Sequence, residues 1–287
     1  MKWQGQRESS NVEDRRSSSV GRRAGGLSIG GIVIALIVGW IFGVNPLAIL
    51  GFIDSSQQIT MPADNTPAQP ISENDEQARF VASVLGSTED VWNQVFKQMG
   101  QTYTPPKLVL FRGTYPTACG MGQSAMGPFY CPADQKVYID LSFYDTLKNQ
   151  LGAPGEFAQA YVIAHEVGHH VQNLLGIAEK VELQNRYVDQ RERNAISVRV
   201  ELQADCFAGF WARAVDQQTA MLEDGDIEAA LNAASKIGDD ALQRQAQGRV
   251  VPDSFTHGTS SQRVYWFKRG LQAESFTACD TFSVDTL

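Results

Sequence analysis

Residues 160–176 of the chain are AYVIAHEVGHHVQNLLG, a stretch that combines an apolar helix pattern with a cluster of histidines. The chain of 287 residues has four histidines, and three of them, His165, His169 and His170, lie here. Because His165 and His169 are four residues apart, a helix places both imidazoles on one face, one turn apart. His170 is rotated by about 100° from His169, so we expect it to have a structural role.

The segment His165-Glu166-Val167-Gly168-His169 has the spacing of a zinc-binding helix. Two imidazoles one turn apart can bind one Zn²⁺ ion, and Glu166 can accept a proton from water that the ion activates. An amphipathic helix that holds histidines by chance is the alternative, but HExxH should arise in only about a few chains in a thousand. The pattern therefore predicts a Zn²⁺ cofactor, His165 and His169 as ligands, and Glu166 as the catalytic base.

A hydrolytic zinc site needs a third protein ligand. The class with three histidines is excluded, because Gln172 and Leu175 occupy the positions of its continuation. The later segment ELQADCFAG (201–209) offers Glu201, with Asp205 four residues on and therefore on the same helix face. We predict that Glu201 binds the metal and that Asp205 accepts the free N–H of a ligand histidine. A solvated helix face is the alternative; the rival carboxylates are Glu179, Glu182 and Glu192.

The fourth histidine, His257, lies in DSFTHGTSSQR (253–263), which ends at Arg263. Hydrolysis of a peptide builds negative charge on the former carbonyl oxygen, and a His or Arg opposite the base stabilises that charge. Both residues are candidates for this catalytic role, because they lie around the start of a predicted helix whose N-cap is Thr259 or Ser260. A surface histidine is the other interpretation of His257.

An apolar segment, LSIGGIVIALIVGWIFGV, covers residues 27–44 without a charge. A helix of that length spans about 27 Å, close to the hydrocarbon thickness of a bilayer. Apolar residues resume after Asn45-Pro46 as far as Ile53, and residues 1–26 hold six lysines or arginines against three acids. This asymmetry predicts one transmembrane helix over 27–53, a cytoplasmic tail over 1–26 and an extracytoplasmic remainder. A buried core helix and a cleaved signal peptide are the alternatives.

The remainder of the chain divides into a polar linker over 54–77 and a folded domain over 78–287. Strands are predicted at KLVLF (107–111) and KVYIDLSF (136–143). Helices are predicted at STEDVWNQVFKQMG (87–100), with Ser87 as the N-cap, and over most of 155–247, where one helix starts at Asp226. The fold class is therefore α+β, a short sheet with a mostly helical remainder. The four cysteines suit two disulfides, Cys119–Cys131 and Cys206–Cys279, with free buried thiols as the alternative.

The segments HEVGHH (165–170), ELQADCFAG (201–209) and SFTHGTSSQR (254–263) resemble the bacterial membrane-anchored neutral zinc metallopeptidase family. The opening MKWQGQRESSNVEDRR (1–16) is similar to the N-terminus of that family as well. The resemblance implies a zincin-like domain of the glutamate-zincin type, with a short antiparallel sheet whose edge strand lines the cleft, for which KVYIDLSF is the candidate. It implies the same metal ligands and base as the spacing does, and it strengthens the assignment of His257 and Arg263.

The leading functional hypothesis is a zinc peptidase, anchored by one span in the bacterial cytoplasmic membrane, that cleaves peptide or protein substrates in the periplasm or outside the cell. Two alternatives are a non-catalytic, zinc-stabilised scaffold protein of the envelope and a hydrolase of cell-wall peptide amides. The net charge of −8 gives no electrostatic reason to expect a nucleic-acid partner.

Overall fold

The computed structural model describes residues 1–17, 68–123 and 127–287. Within this part of the chain, residues 1–17 and 68–287 form one compact unit. The helices are α1 (Glu76–Gln98), α2 (Ser142–Asn149), α3 (Glu156–Leu174), α4 (Ile177–Asn185), α5 (Gln190–Thr219), α6 (Asp226–Lys236), α7 (Asp239–Gln247) and α8 (Ser260–Gln272). The strands are β1 (Val12–Asp14), β2 (Lys107–Phe111), β3 (Thr114–Thr117), β4 (Gly120–Gln123), β5 (Phe129–Cys131) and β6 (Lys136–Asp140).

The main sheet has the strand order β1-β2-β6-β5. Strands β1, β2 and β6 are parallel, and only β5 runs antiparallel to its neighbour; β3 and β4 form a separate hairpin. The α+β class is confirmed, but the sheet is mixed and not antiparallel as expected. Strand β6 is paired on both sides, so it is not the edge strand that the resemblance implied. That position belongs to β5.

Helix α3 carries the histidine cluster through the middle of the domain and packs against α1, α5 and α6. Its apolar face, which includes Phe157, Tyr161 and Val167, is buried. Gly168 lies where α5 crosses: a Cβ there would come within 3.2 Å of the backbone of Ala204. A larger residue between His165 and His169 would therefore push α5 away.

Two helix boundaries differ from the predictions. Helix α1 begins at Glu76, capped by the side chain of Asp75, and not at the predicted N-cap Ser87. Ser87 lies inside the helix, where its hydroxyl donates a hydrogen bond to the carbonyl of Val84. A serine at this position has the sequence pattern of an N-cap without its structure. The predicted helix from Asp226 is divided into α6 and α7 at Ile237-Gly238, whereas the predicted N-cap Thr259 is confirmed by a capping box on α8.

Residues 1–17 are built into the domain. Strand β1 pairs with β2, with Glu13 opposite Val109, and Trp3 is buried and donates its Nε1–H to Glu156 at the start of α3. Arg7 binds Glu89 and Asp90 of α1. We predicted a folded domain that begins at Ala78 and a separate tail over residues 1–26. The structure differs, because residues 1–17 pack against the domain and supply the first strand of its sheet.

The predicted transmembrane segment 27–53 lies outside the described residues. Among the helices that the structure describes, none is both long and apolar enough to cross a membrane.

The two predicted cysteine pairs are confirmed. Cys119, in the turn between β3 and β4, is bonded to Cys131 at the end of β5, with a Cα–Cα distance of 5.8 Å. Cys206, which follows Asp205 in α5, binds Cys279 in the C-terminal segment with a Cα–Cα distance of 5.5 Å. This second bond joins the C-terminal segment to the helix that carries Glu201.

Glu89 provides a test of the docking of the N-terminal segment. Its buried carboxylate accepts hydrogen bonds from Ser9, Asn11 and Arg7 at 2.5, 2.8 and 2.9 Å. Glu89→Ala would leave these donors without their acceptor, so we expect a loss of about 2–3 kcal/mol in the free energy of unfolding. Chemical denaturation of the full chain measures it.

The matched control is Asp90→Ala, because Asp90 binds the same arginine from an exposed position. An exposed ion pair contributes about 0–1 kcal/mol, so this variant should remain close to the parent. Equal losses in both variants would contradict the docking described above.

Candidate metal centre

Three side chains converge at the crossing of α3 and α5. His165, His169 and Glu201 each offer a ligand atom, and these atoms lie within 4.8 Å of one another. The Glu201 carboxylate oxygens lie 3.2 Å from His165 Nε2 and 3.4 Å from His169 Nε2. Ligands about 2.1 Å from a tetrahedral ion stand roughly 3.4 Å apart. The three side chains are therefore close enough to hold one metal ion between them.

Each ligand imidazole is oriented through its other nitrogen. His165 Nδ1 lies 2.9 Å from the carboxylate of Asp205, and His169 Nδ1 lies 2.9 Å from the amide oxygen of Gln172. Gln172 is itself fixed, because its amide donates to the carbonyl of Val200 in α5. Hydrogen bonds of this kind set the tautomer of a metal ligand and turn the free Nε2 lone pair toward the ion.

A buried ionic cluster lies behind His165. Asp205 has no exposed surface, and Arg263 from α8 binds both of its carboxylate oxygens, at 2.9 and 3.0 Å. Tyr161, one turn before His165, donates its hydroxyl to the same carboxylate at 2.5 Å. Asp205 therefore joins α3, α5 and α8 at one point.

The charges of the site favour a divalent cation. Glu166, Glu201 and Asp205 are three carboxylates beside the guanidinium of Arg263. Histidines that bind a metal are neutral, and with neutral imidazoles this group carries two negative charges in excess. Charges of one sign are expensive to bury without a partner. One divalent ion at the three ligand atoms would balance them.

The same charges shift the pKa values of the side chains. Burial alone would lower the pKa of His165, but Asp205 and Glu201 outweigh it and raise the pKa to about 10. Burial would raise the pKa of Glu201, yet the two imidazoles hold it well below its usual range. Burial raises the pKa of Glu166 above that of a free carboxyl, as suits a group that must accept a proton near neutral pH.

An open cleft of about 870 Å³ gives access to these groups. The cleft is lined by the metal-binding group, that is His165, His169 and Glu201, and by Glu166, His257 and Arg263. Strand β5 and the residues just before it form part of the wall. Apolar side chains supply much of the remainder: Phe129, Phe143, Leu151, Val162, Ile237 and Leu242. The cleft can therefore admit an extended chain beside β5, which ends the sheet in the part of the chain that the structure describes.

The structure brings the predicted site residues together, with different surroundings for two of them. His257 lines the cleft and contacts Asp239. Arg263 is buried against Asp205, 3.5 Å from His165 Nδ1, so its main contact is with the carboxylate behind the ligand. His170 is structural as expected, since its Nε2 lies 2.7 Å from the Thr104 carbonyl.

Sequence reasoning missed two contacts of the site. Gln172 was noted only as the residue that breaks a three-histidine pattern, although its spacing of three from His169 places it on the same helix face. Tyr161 lies four residues before His165, so helix geometry places it on the same face as that histidine. Its place in the apolar pattern of the helix gave no indication that its hydroxyl binds Asp205. Both positions were detectable from helix geometry alone.

Gln172→Ala should weaken metal binding while leaving the three ligands in place. Removal of a hydrogen-bond partner of a metal-binding histidine costs about 10- to 100-fold in affinity. Competition with a chromogenic zinc chelator measures the change. Gln184→Ala, on the exposed surface of α4, is the control and should bind zinc like the parent; an unchanged affinity in Gln172→Ala would exclude this orienting role.

Comparison with known proteins identifies relatives along nearly the whole chain. A family model described as "Putative neutral zinc metallopeptidase" matches residues 1–282. The uncharacterized protein YpfJ of Escherichia coli K12 is 56% identical over 292 residues, covering 98% of this chain and 99% of the relative. An uncharacterized protein of Mycobacterium tuberculosis H37Rv is 42% identical over 221 residues, covering 73% of each chain. No solved structure shows significant similarity to the chain.

Proposed function

The chain belongs to the neutral zinc metallopeptidase family, and from that membership we propose that it is a zinc-dependent peptidase. One observation carries the proposal: His165, His169 and Glu201 bring three ligand atoms within 4.8 Å of one another, in a cleft that also contains Glu166. A structural zinc site usually has four protein ligands and needs no base. Three ligands beside a buried carboxylate are the arrangement of a hydrolytic site.

The residues of the chain have separate tasks in this proposal. When bound, zinc would supply a Lewis acid that lowers the pKa of a coordinated water to about 7. Glu166 accepts the proton of the attacking water and delivers it to the leaving amine, a transfer that its raised pKa favours. His257, in the cleft wall, donates a hydrogen bond to the carbonyl oxygen as negative charge develops there. Arg263 keeps Asp205 charged, and Asp205 keeps His165 oriented.

Peptides are the substrate class that the cleft suits. Strand β5 lines the cleft, and among the described residues its outer edge has no partner strand. An extended peptide can add to such an edge through main-chain hydrogen bonds. The apolar wall can accommodate uncharged side chains. The cell-wall amide hydrolase and the non-catalytic scaffold remain the alternative functions, and the scaffold leaves Glu166 without a task.

The proposal includes a location outside the cytoplasm, with the apolar segment 27–53 as the membrane anchor. The two disulfides support it, because such bonds persist in oxidising compartments. The length and uniform apolar character of residues 27–44 support the anchor.

Metal analysis of the purified full chain in detergent tests the site. We expect about one zinc per chain, with loss of the metal in His165→Ala and Glu201→Gln. Glu192→Gln is the matched control, because Glu192 is an exposed carboxylate two and a half turns earlier on the same helix, and it should retain zinc. Retention of zinc by Glu201→Gln would move the third ligand elsewhere.

Glu166→Gln tests the peptidase activity itself. The variant should retain its zinc and lose roughly 10²- to 10⁴-fold in kcat, the usual contribution of a general base. Cleavage of a defined library of unblocked peptides, read by mass spectrometry, measures it. Equal rates for the parent and Glu166→Gln would overturn the mechanism, and zinc without any hydrolysis of peptides or cell-wall fragments would favour the scaffold function.

A further inference from the structure

The carboxylate of Asp239, the first residue of α7, holds both the loop and the ring of His257. Its Oδ2 accepts the backbone N–H groups of Thr256, His257 and Gly258 at 2.7, 2.6 and 3.0 Å. Its Oδ1 lies 3.1 Å from His257 Nδ1. The N–H of Asp239 in turn donates to the carbonyl of Gly258 at 2.9 Å. Asp239 is 8% exposed, whereas the imidazole of His257 is half exposed toward the cleft.

These contacts determine which nitrogen of His257 can act in the cleft. The carboxylate of Asp239 can only accept a hydrogen bond, so it favours a proton on Nδ1, and the Thr256 hydroxyl, 3.0 Å from the same nitrogen, can accept as well. Nε2 is then left for the cleft. A neutral ring in this tautomer has a lone pair at Nε2 and cannot donate there, whereas the doubly protonated ring can. The hydrogen bond that His257 donates to Asp239 raises the pKa of His257, and Glu201 acts in the same direction against burial and the charge of Arg263.

We propose that Asp239 is a positioning residue that fixes the ring of His257 in the cleft wall and stabilises its doubly protonated form, whose Nε2–H donates to the carbonyl oxygen of the peptide. This inference rests on the proposed peptidase function. The sign of the pH dependence follows from the protonation: the donor is present below the pKa of His257 and is lost as the pH rises through it.

Asp239→Asn is the informative variant. The amide oxygen can still accept the backbone N–H groups, but the amide N–H₂ can now donate to His257 Nδ1 and place the proton of the neutral ring on Nε2. We expect kcat to fall by about 10- to 100-fold, less than the roughly 10²- to 10³-fold that removal of a whole donor costs. KM and zinc content should stay close to the parent, and the decline of kcat/KM at alkaline pH should disappear.

Asp240→Asn is the matched control. Asp240 accepts hydrogen bonds from the N–H and the hydroxyl of Ser260 at 2.7 and 2.8 Å. It therefore joins the start of α7 to the start of α8 and makes no contact with the imidazole of His257. Its loss should lower the stability of the loop and leave the pH profile of the parent. In the double variant Asp239→Asn/His257→Ala, activity should match that of His257→Ala alone, since the two side chains act as one unit. Additive losses, or equal pH profiles for Asp239→Asn and Asp240→Asn, would assign Asp239 a structural role only.

A second readout does not depend on activity. The chain has four histidines, and NMR of labelled imidazoles can follow the titration of His257, assigned through His257→Gln. Its pKa should fall in Asp239→Asn and not in Asp240→Asn; an unchanged pKa overturns the proposal. Failure of the peptidase function itself would appear differently, as equal rates for the parent and Glu166→Gln.

The docked N-terminal segment carries a separate inference. Arg7 and Arg16, two of the six basic residues that predicted a cytoplasmic tail, form ion pairs with Glu89, Asp90 and Asp75 of the domain. Lys136 of β6 likewise binds Glu13 at 3.1 Å. These contacts give the basic residues a task in folding, which weakens them as a signal of membrane orientation.

We infer that residues 1–17 and 68–287 lie on the same side of the membrane in which the chain is anchored. Strand β1 and strand β2 cannot pair across a bilayer, so a single crossing between residues 17 and 68 is incompatible with the sheet. The positive-inside pattern and the sheet therefore give opposite positions for the N-terminal segment, and the sheet involves many more contacts.

Cysteine labelling in intact spheroplasts tests this position. Ser10→Cys in the N-terminal segment and Lys268→Cys in α8 each add one exposed thiol to a chain whose own cysteines are paired. With a membrane-impermeant maleimide we expect both variants to react, or neither before lysis. Reaction of one thiol and protection of the other would establish a single crossing and overturn the inference.

Discussion

The buried contact between Asp205 and Arg263 connects the fold to the metal-binding group. Asp205 lies one helical turn after Glu201, so whatever fixes its carboxylate also fixes the third ligand. Arg263 supplies the compensating charge from α8, and Tyr161 and His165 complete the contacts from α3. Removal of either charged partner would leave the other buried and unpaired, at a cost of about 3–5 kcal/mol. The ligand geometry and the stability of the domain therefore depend on the same four side chains.

Close helix packing makes that contact possible. A Cβ at Gly270 of α8 would lie 1.9 Å from the carbonyl oxygen of Cys206, and one at Gly209 of α5 would lie 2.0 Å from that of Phe267. The backbones of α5 and α8 are consequently in contact at Gly209 and Gly270. Arg263, two turns before Gly270 in α8, is thereby brought within reach of Asp205. Gly168 provides the corresponding approach of α5 to α3. Glycine at these three positions therefore determines how closely α5 approaches α3 and α8.

The sequence predicted those parts of the site that depend on spacing within one helix. His165, Glu166 and His169, and then Glu201 with Asp205, are related by intervals of one to four residues. Contacts between distant segments were harder to anticipate: nothing near Arg263 or Asp239 in the sequence indicates which carboxylate or imidazole it will face. The N-terminal segment shows the same limit, because a basic, polar stretch was interpreted as a tail although it supplies strand β1. Strand β6 was recognised, but its alternating pattern does not indicate that β2 and β5 pair with it on either side, so the edge at β5 was missed.

The order of the parts along the chain has a consequence for biosynthesis. Glu201 and both histidines are translated well before Arg263, and Cys206 precedes its partner Cys279 by 73 residues. A nascent chain that has passed α5 therefore has the three candidate ligands, but it lacks Arg263, which is the counter-charge of Asp205, and it lacks the disulfide beside them. The three side chains can reach their final arrangement only after α8 and Cys279 have been translated, so chains that terminate before α8 lack a complete candidate site.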